Sequence, residues 1–173
     1  MFSVVKLYEY SSSVRRRFAT KLSELPWDTV LENREASFYS MRNILLHIID
    51  NEDWIVNWVI QGRGREYKRE RKSDDYTSME QVLAHLDRVE QKTKDYFQSI
   101  KSQDEFKRRV DFEISSGKVF DLSVEECLLQ SFTEQLYHMG ELIALLWQKN
   151  IEPPPMQYFW NNPRRDNSDR KNS

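Results

Sequence analysis

The sequence predicts an all-α protein, an up-and-down four-helix bundle with a small β-hairpin before the last helix. Three observations carry this reading. Only four glycines and five prolines punctuate the 173 residues, too few for the many turns of a sandwich or barrel. Apolar residues recur at helical spacing in four long segments. Two sequences of the form S/T-x-x-E, Thr77 to Glu80 and Ser123 to Glu126, match the capping box, in which two side chains satisfy backbone amides at a helix start.

The first helix spans about residues 2–24, with Val4, Val5, Leu7, Val14, Phe18 and Leu22 at roughly helical spacing. Pro26 stops it, and a loop through residue 39 carries Trp27 and the pair Phe38 and Tyr39. Ser40 is a suitable N-cap for a second helix running to Gln61. Its sequence, SMRNILLHIIDNEDWIVNWVIQG, is apolar around much of its circumference and must be largely buried. Gly62 and Gly64 end it, and the charged link RGREYKRERKSDDY reads as a solvated loop. The third helix opens at the Thr77 box and continues to about Ile100.

Between residues 110 and 122 the period changes. VDFEI and KVFDL alternate apolar with polar residues around SSG, the pattern of a hairpin. An isolated hairpin is barely stable, so it must lean on the helices. The fourth helix opens at the Ser123 box and runs to about Lys149, ended by Asn150 and the prolines at 153–155. MQYFW then supplies an aromatic anchor. Residues 161–173 hold no apolar side chain except Pro163, so the domain is expected over 1–160 with a disordered polar tail beyond it.

The formal net charge of −2 gives no reason to expect nucleic acid or membrane as a partner. The one cysteine, Cys127, excludes an internal disulfide and fits a reducing cytoplasm. The opening residues lack an apolar signal segment, interrupted early by Lys6 and Glu9. No run of about 18 apolar residues exists to cross a membrane.

Two polar intrusions into apolar helices bear on function. His47 sits in ILLHIID, and Glu134 and His138 stand four residues apart in FTEQLYHMGELIALLW, which stacks them on one helix face. Burying a carboxylate is costly unless it is paired or bound to a cation. Imidazole and carboxylate are good ligands for a divalent ion, and two from one helix plus one from another would make an open three-ligand site. A core histidine bonded to a carbonyl, and a partly exposed Glu–His pair, fit the same spacing, which leaves both readings open.

Other positions are weaker candidates. Asn51, Trp54 and Trp58 follow His47 along one face, where they would wall a pocket or simply pack. Asp50 and Glu52 are candidates for supporting or general-base work. His85 reads as a surface or boundary histidine. Cys127 lies seven residues before Glu134, about 10 Å along a helix, and reads as a small buried hydrophobe. The run Arg63–Lys72 holds six basic and two acidic residues, an excess of four that would draw an anion or a nucleic-acid backbone if it were not a solvated loop.

The patterns LLHIIDNEDW in the second helix and EQLYHMGELI in the fourth, with the exit EPPPMQYFW, resemble the DinB/YfiT-like superfamily of bacterial four-helix bundles over nearly the whole chain. In that family one histidine of the second helix and two from an H-x-x-x-H-R-G-Q-I-like motif in the fourth bind a divalent metal, zinc or nickel. Carried over, the resemblance assigns His47 and His138 as ligands and matches Gly140. Glu134 stands where the family has its other histidine, Met139 where it has arginine and Glu141 where it has glutamine. It implies a two-histidine, one-carboxylate site with Asp50 or Glu141 as proton acceptor, and Asn51 and Trp54, on the face of His47, would then wall the substrate space. Some members are thiol-dependent transferases, so the resemblance implies a transferase or hydrolase acting on a small molecule, with a low-molecular-weight thiol as partner. The alternative is a non-catalytic, stress-associated bundle with a vestigial or structural metal site. A homodimer is compatible with either.

Overall fold

The structure is a computed structural model and describes residues 3–114 and 116–158. Helix α1, Val4–Ser23, is capped by the Ser3 hydroxyl, which accepts from the Lys6 amide. Pro26 then leads into α2, a single short turn at Trp27–Leu31 within the stretch expected to be loop. Its fixed φ suits entry to a helix. Helix α3, Met41–Trp54, starts where Ser40 caps the amide of Asn43. Helix α4 spans Met79–Ser99 and α5 spans Val124–Trp147. Between them strand β1, Arg109–Glu113, pairs antiparallel with β2, Val119–Ser123, with Val110 opposite Leu122 and Phe112 opposite Phe120. Gly117 takes the left-handed conformation that the turn needs, with φ +77°.

Three local expectations are corrected. The cap of α4 is Ser78, whose hydroxyl accepts from the Gln81 amide, while Thr77 bonds the Gln81 side chain. The cap is thus displaced by one residue, because serine caps as well as threonine, and the Gln81 side chain accepts from the Thr77 amide. The second predicted helix does not run as a regular α-helix to Gln61. After Trp54 it widens into a π turn over Ile55–Val59, closed by the Ile60 amide on the Ile55 carbonyl. The extra residue in the turn sets Ile55 and Val56 over Val59 and Ile60, and all four are buried. The link after it is more than a solvated loop. Tyr67 donates to the Asp50 carbonyl, Arg69 pairs with Asp50, and Glu70 pairs with Arg88. The expected tail, 161–173, and the Phe159 and Trp160 part of the aromatic anchor lie outside the described residues.

Helix α1 packs on α4 and α5, and α3 packs on the same two. Side-chain pairs give their directions. Tyr8 meets Phe97 and Arg15 meets Glu90, so α1 and α4 are antiparallel. Asp50 meets His85 and Asp53 meets Lys92, so α3 and α4 run the same way. The bundle order is therefore up, down, down, up, a refinement of simple alternation. A link between two parallel helices must travel back along the bundle, which lays the charged segment 62–78 against α3 and α4.

The core falls into two apolar clusters. One is built around Phe18, Leu22, Met41, Leu45, Ile49, Leu86 and Leu142, the other around Tyr8, Ile55, Val56, Val59, Leu128 and Phe132. A polar band of Arg15, Glu52, Glu90 and Gln135, all essentially buried, lies between them. Because Ser40 sets the start of the helix that carries His47, Ser40→Ala is expected to cost about 1 kcal/mol. Calorimetry should show this as a melting temperature lower by roughly 2–4 °C.

Candidate metal centre

His47 reaches the inner face of α3 at the level where α5 presents Glu134 and His138, because α3 and α5 run antiparallel. Nitrogen atoms of the two histidines and an oxygen of Glu134 lie within 4.8 Å of one another. His138 Nε2 is 3.1 Å and His47 Nε2 is 3.5 Å from the same Glu134 oxygen, Oε1. The two imidazoles meet edge to face, with centroids 4.6 Å apart. His138 is buried, whereas Glu134 keeps about a third of its side chain exposed, so the group opens to solvent at one side.

The far nitrogen of His138 is occupied. Nδ1 stands 2.5 Å from Glu141 Oε2, and Glu141 also accepts from the Ser37 hydroxyl at 2.8 Å. A neutral imidazole has one N–H, and the shorter contact places it on Nδ1. The lone pair of Nε2 then faces the Glu134 carboxylate. His47 Nε2 points at the same place, buried and without a hydrogen-bond partner. Burial lowers the His47 pKa, with His138 adding to the effect and Glu134 opposing it, which favours the neutral, ligating form. With no proton among them these three atoms would repel, so the arrangement calls for a cation between them or for an N–H there, such as the Nε2–H tautomer of His47. This donor set fits a divalent ion.

Phe38 is a participant that the sequence did not reveal. Its ring stacks on His47 at 4.0 Å and meets His138 edge-on at 5.3 Å. The loop before α3 holds it there, with Tyr39 at φ +68°, an uncommon conformation for a bulky residue. The only trace in the sequence was an aromatic pair in a polar loop.

Beside His47 lies a pocket of about 440 Å³, lined by Asp50, Asn51, Trp54, Tyr67 and Arg69 among others. Asn51 and Trp54 are thus brought next to His47. Trp58 is turned instead against Tyr67 and beneath the Arg63 guanidinium. Neither carboxylate considered as a proton acceptor is free. Asp50 is held by His85 and Arg69, and Glu141 by Ser37 and His138. Glu52 belongs to the buried polar band, bonded to Arg15 and Gln135. His85 is not a surface histidine: it is 2% exposed and lies 2.9 Å from Asp50, because the returning link covers it. Cys127 is buried, and burial, with Glu126 nearby, pushes its thiol up to about 11, which keeps it a protonated packing residue.

A larger groove between α1 and Pro153–Pro155 contains no histidine. Of its three cations, Arg16 is paired with Asp87 and Glu90, Lys21 with Glu24, and Arg17 donates to the Pro155 carbonyl.

Comparison with known proteins gives a consistent picture. The model of the DinB family matches residues 1–168. The chain is 21% identical over 162 residues to protein DinB of Bacillus subtilis (strain 168), covering 88% of this chain and 90% of that one. Its fold is similar to the crystal structure of a DinB-like protein from Bacillus cereus ATCC 10987, with a TM-score of 0.64, 17% identity, and coverage of 88% of this chain and 94% of that one. A second DinB-like protein, from Bacillus subtilis, superposes with a TM-score of 0.66 at 15% identity, covering 87% and 97%.

Proposed function

The chain belongs to the DinB family, and from that premise we propose that it is an enzyme acting on a small molecule at a divalent metal held by His47, Glu134 and His138. The observation that carries the proposal is the convergence of three candidate ligand atoms within 4.8 Å, with His47 Nε2 buried, making no hydrogen bond and facing Glu134 Oε1 at 3.5 Å. A bound zinc or nickel ion would act as a Lewis acid, lowering the pKa of a thiol or a water. The thiol case corresponds to a transferase using a low-molecular-weight thiol, the water case to a hydrolase.

The chain's own residues prepare the site. Glu141, itself held by Ser37, fixes the tautomer and plane of His138, the support that a ligating histidine commonly receives from a carboxylate. Phe38 covers the His47 ring and keeps water from that side. Asn51 and Trp54 wall the space next to His47 where a substrate would lie. Glu134 supplies a negative ligand where a histidine would be neutral, so the ligand set balances part of the ion's charge.

Titration of the purified protein with zinc and nickel, followed by calorimetry, tests the proposal. One ion per chain is expected, and Glu134→His should retain or raise the zinc affinity. Absence of stoichiometric binding to either ion would sink the proposal. The non-catalytic bundle would then be the better account, with His138 simply hydrogen-bonded between Glu134 and Glu141.

A further inference from the structure

One arginine of the basic run Arg63–Lys72 turns inward. Arg69 Nε lies 3.3 Å from Asp50 Oδ2, and the other Asp50 oxygen lies 2.9 Å from His85 Nε2. The chain from His85 through Asp50 to Arg69 thus begins in the core and ends at the pocket beside His47. The Arg69 side chain is 51% exposed. Its nearest approach to Asp50 is through Nε, and its two terminal nitrogens make no hydrogen bond among the described residues. An arginine anchored in this way loses less freedom when it grips a ligand than a free surface arginine does.

The rest of the pocket narrows the chemistry. Trp54 offers an aromatic wall, and Asn51 has a buried side-chain oxygen without a partner. Among the described lining residues Arg69 is the one arginine or lysine, and the two carboxylates there are paired, Asp50 with Arg69 and Glu113 with Arg65. With both lining carboxylates paired, the unused terminal nitrogens of Arg69 suit one negative charge in a planar group, which the guanidinium fork matches in two parallel hydrogen bonds. It does not suit a phosphate dianion, which calls for several donors or cations. The volume of about 440 Å³ is that of a small-molecule site.

We propose that the pocket binds its substrate by a carboxylate held on Arg69, with an apolar or aromatic body against Trp54 and the reacting end at His47. The proposal rests on the reading of His47 as part of a metal centre only for which end reacts, so the binding step is testable without metal.

The test is a titration of the full chain with benzoate, benzamide and inorganic phosphate, with and without zinc, on the unmodified protein, Arg69→Gln and Arg69→Lys. Benzoate should bind the unmodified protein and weaken by roughly tenfold or more in Arg69→Gln, as loss of a charge-assisted pair requires. Arg69→Lys should fall between, since lysine keeps the charge and loses the fork. Benzamide and phosphate should bind more weakly than benzoate and be unmoved by Arg69→Gln, and zinc affinity should be the same in all three proteins. Equal benzoate binding in Arg69→Gln, no benzoate binding, full retention in Arg69→Lys, or phosphate lost in parallel with benzoate would overturn the anchor. Benzoate binding that follows zinc and ignores Arg69 would refute the anchor and leave the metal centre standing. Arg69-dependent binding in a protein that takes up no zinc would do the reverse.

Discussion

Replacing His138 by leucine is expected to abolish zinc binding while leaving the bundle folded. His138 joins the two halves of the candidate centre, with one nitrogen on Glu141 and the other facing Glu134 and His47. Loss of a residue that merely supports a ligand lowers metal affinity by about 10–100-fold, so loss of a ligand should weaken zinc by more than roughly 100-fold. The fold has little to lose. Glu134 and Glu141 are both part-exposed, and water can take the place of the imidazole at each. Leucine fills much of the vacated space beside Phe38 and removes a polar group from the interior. Calorimetric zinc titration and a thermal melt on the same sample check the two halves. Unchanged zinc affinity would remove His138 from the ligand set, and an unfolded variant would show that the ion cluster holds the bundle together.

Replacing Arg15 by methionine is expected to have the largest effect on stability. Arg15 and Glu52 are fully buried and Glu90 nearly so, and the guanidinium bonds both carboxylates and Gln135. Glu90 keeps a second cation, Arg16. Among the described residues Glu52 then keeps only the Gln135 amide, so removing Arg15 strands a buried negative charge. Breaking such a pair costs about 3–5 kcal/mol, or roughly 6–20 °C in melting temperature for a chain of this length. Arg15→Met combined with Glu52→Leu should recover most of the loss, because the stranded charge goes with its partner. A melting temperature within 2 °C or so of the parent for Arg15→Met alone, against the 2–4 °C per kcal/mol expected, would mean that water or relaxation compensates Glu52.

Much of the fold was legible because it depends on local periodicity and capping. The four long helices, the hairpin at 109–123 and the caps Ser40 and Ser123 follow from residues a few positions apart. The errors arose where neighbours in space decided. Thr77 and Ser78 are equally good caps on paper, and the choice between them was made by which hydroxyl faced the Gln81 amide. His85 looked like a surface residue because the segment that covers it is highly charged, and no local pattern says that a charged segment folds back.

The sequence by itself determined the helical elements, the placement of His47 on one helix and Glu134 with His138 on another, and the excess of positive charge after the second helix. Only the tertiary structure decided that the three candidate ligand atoms meet within 4.8 Å, that Glu141, held by Ser37, bonds His138, that Phe38 covers His47 and that Arg69 of the charged run meets Asp50. Helical spacing is set by the backbone, and one chain segment suffices to read it. Convergence depends on how helices cross and where a connecting segment returns, and those are settled by burial of apolar surface and pairing of buried charge summed over the whole bundle.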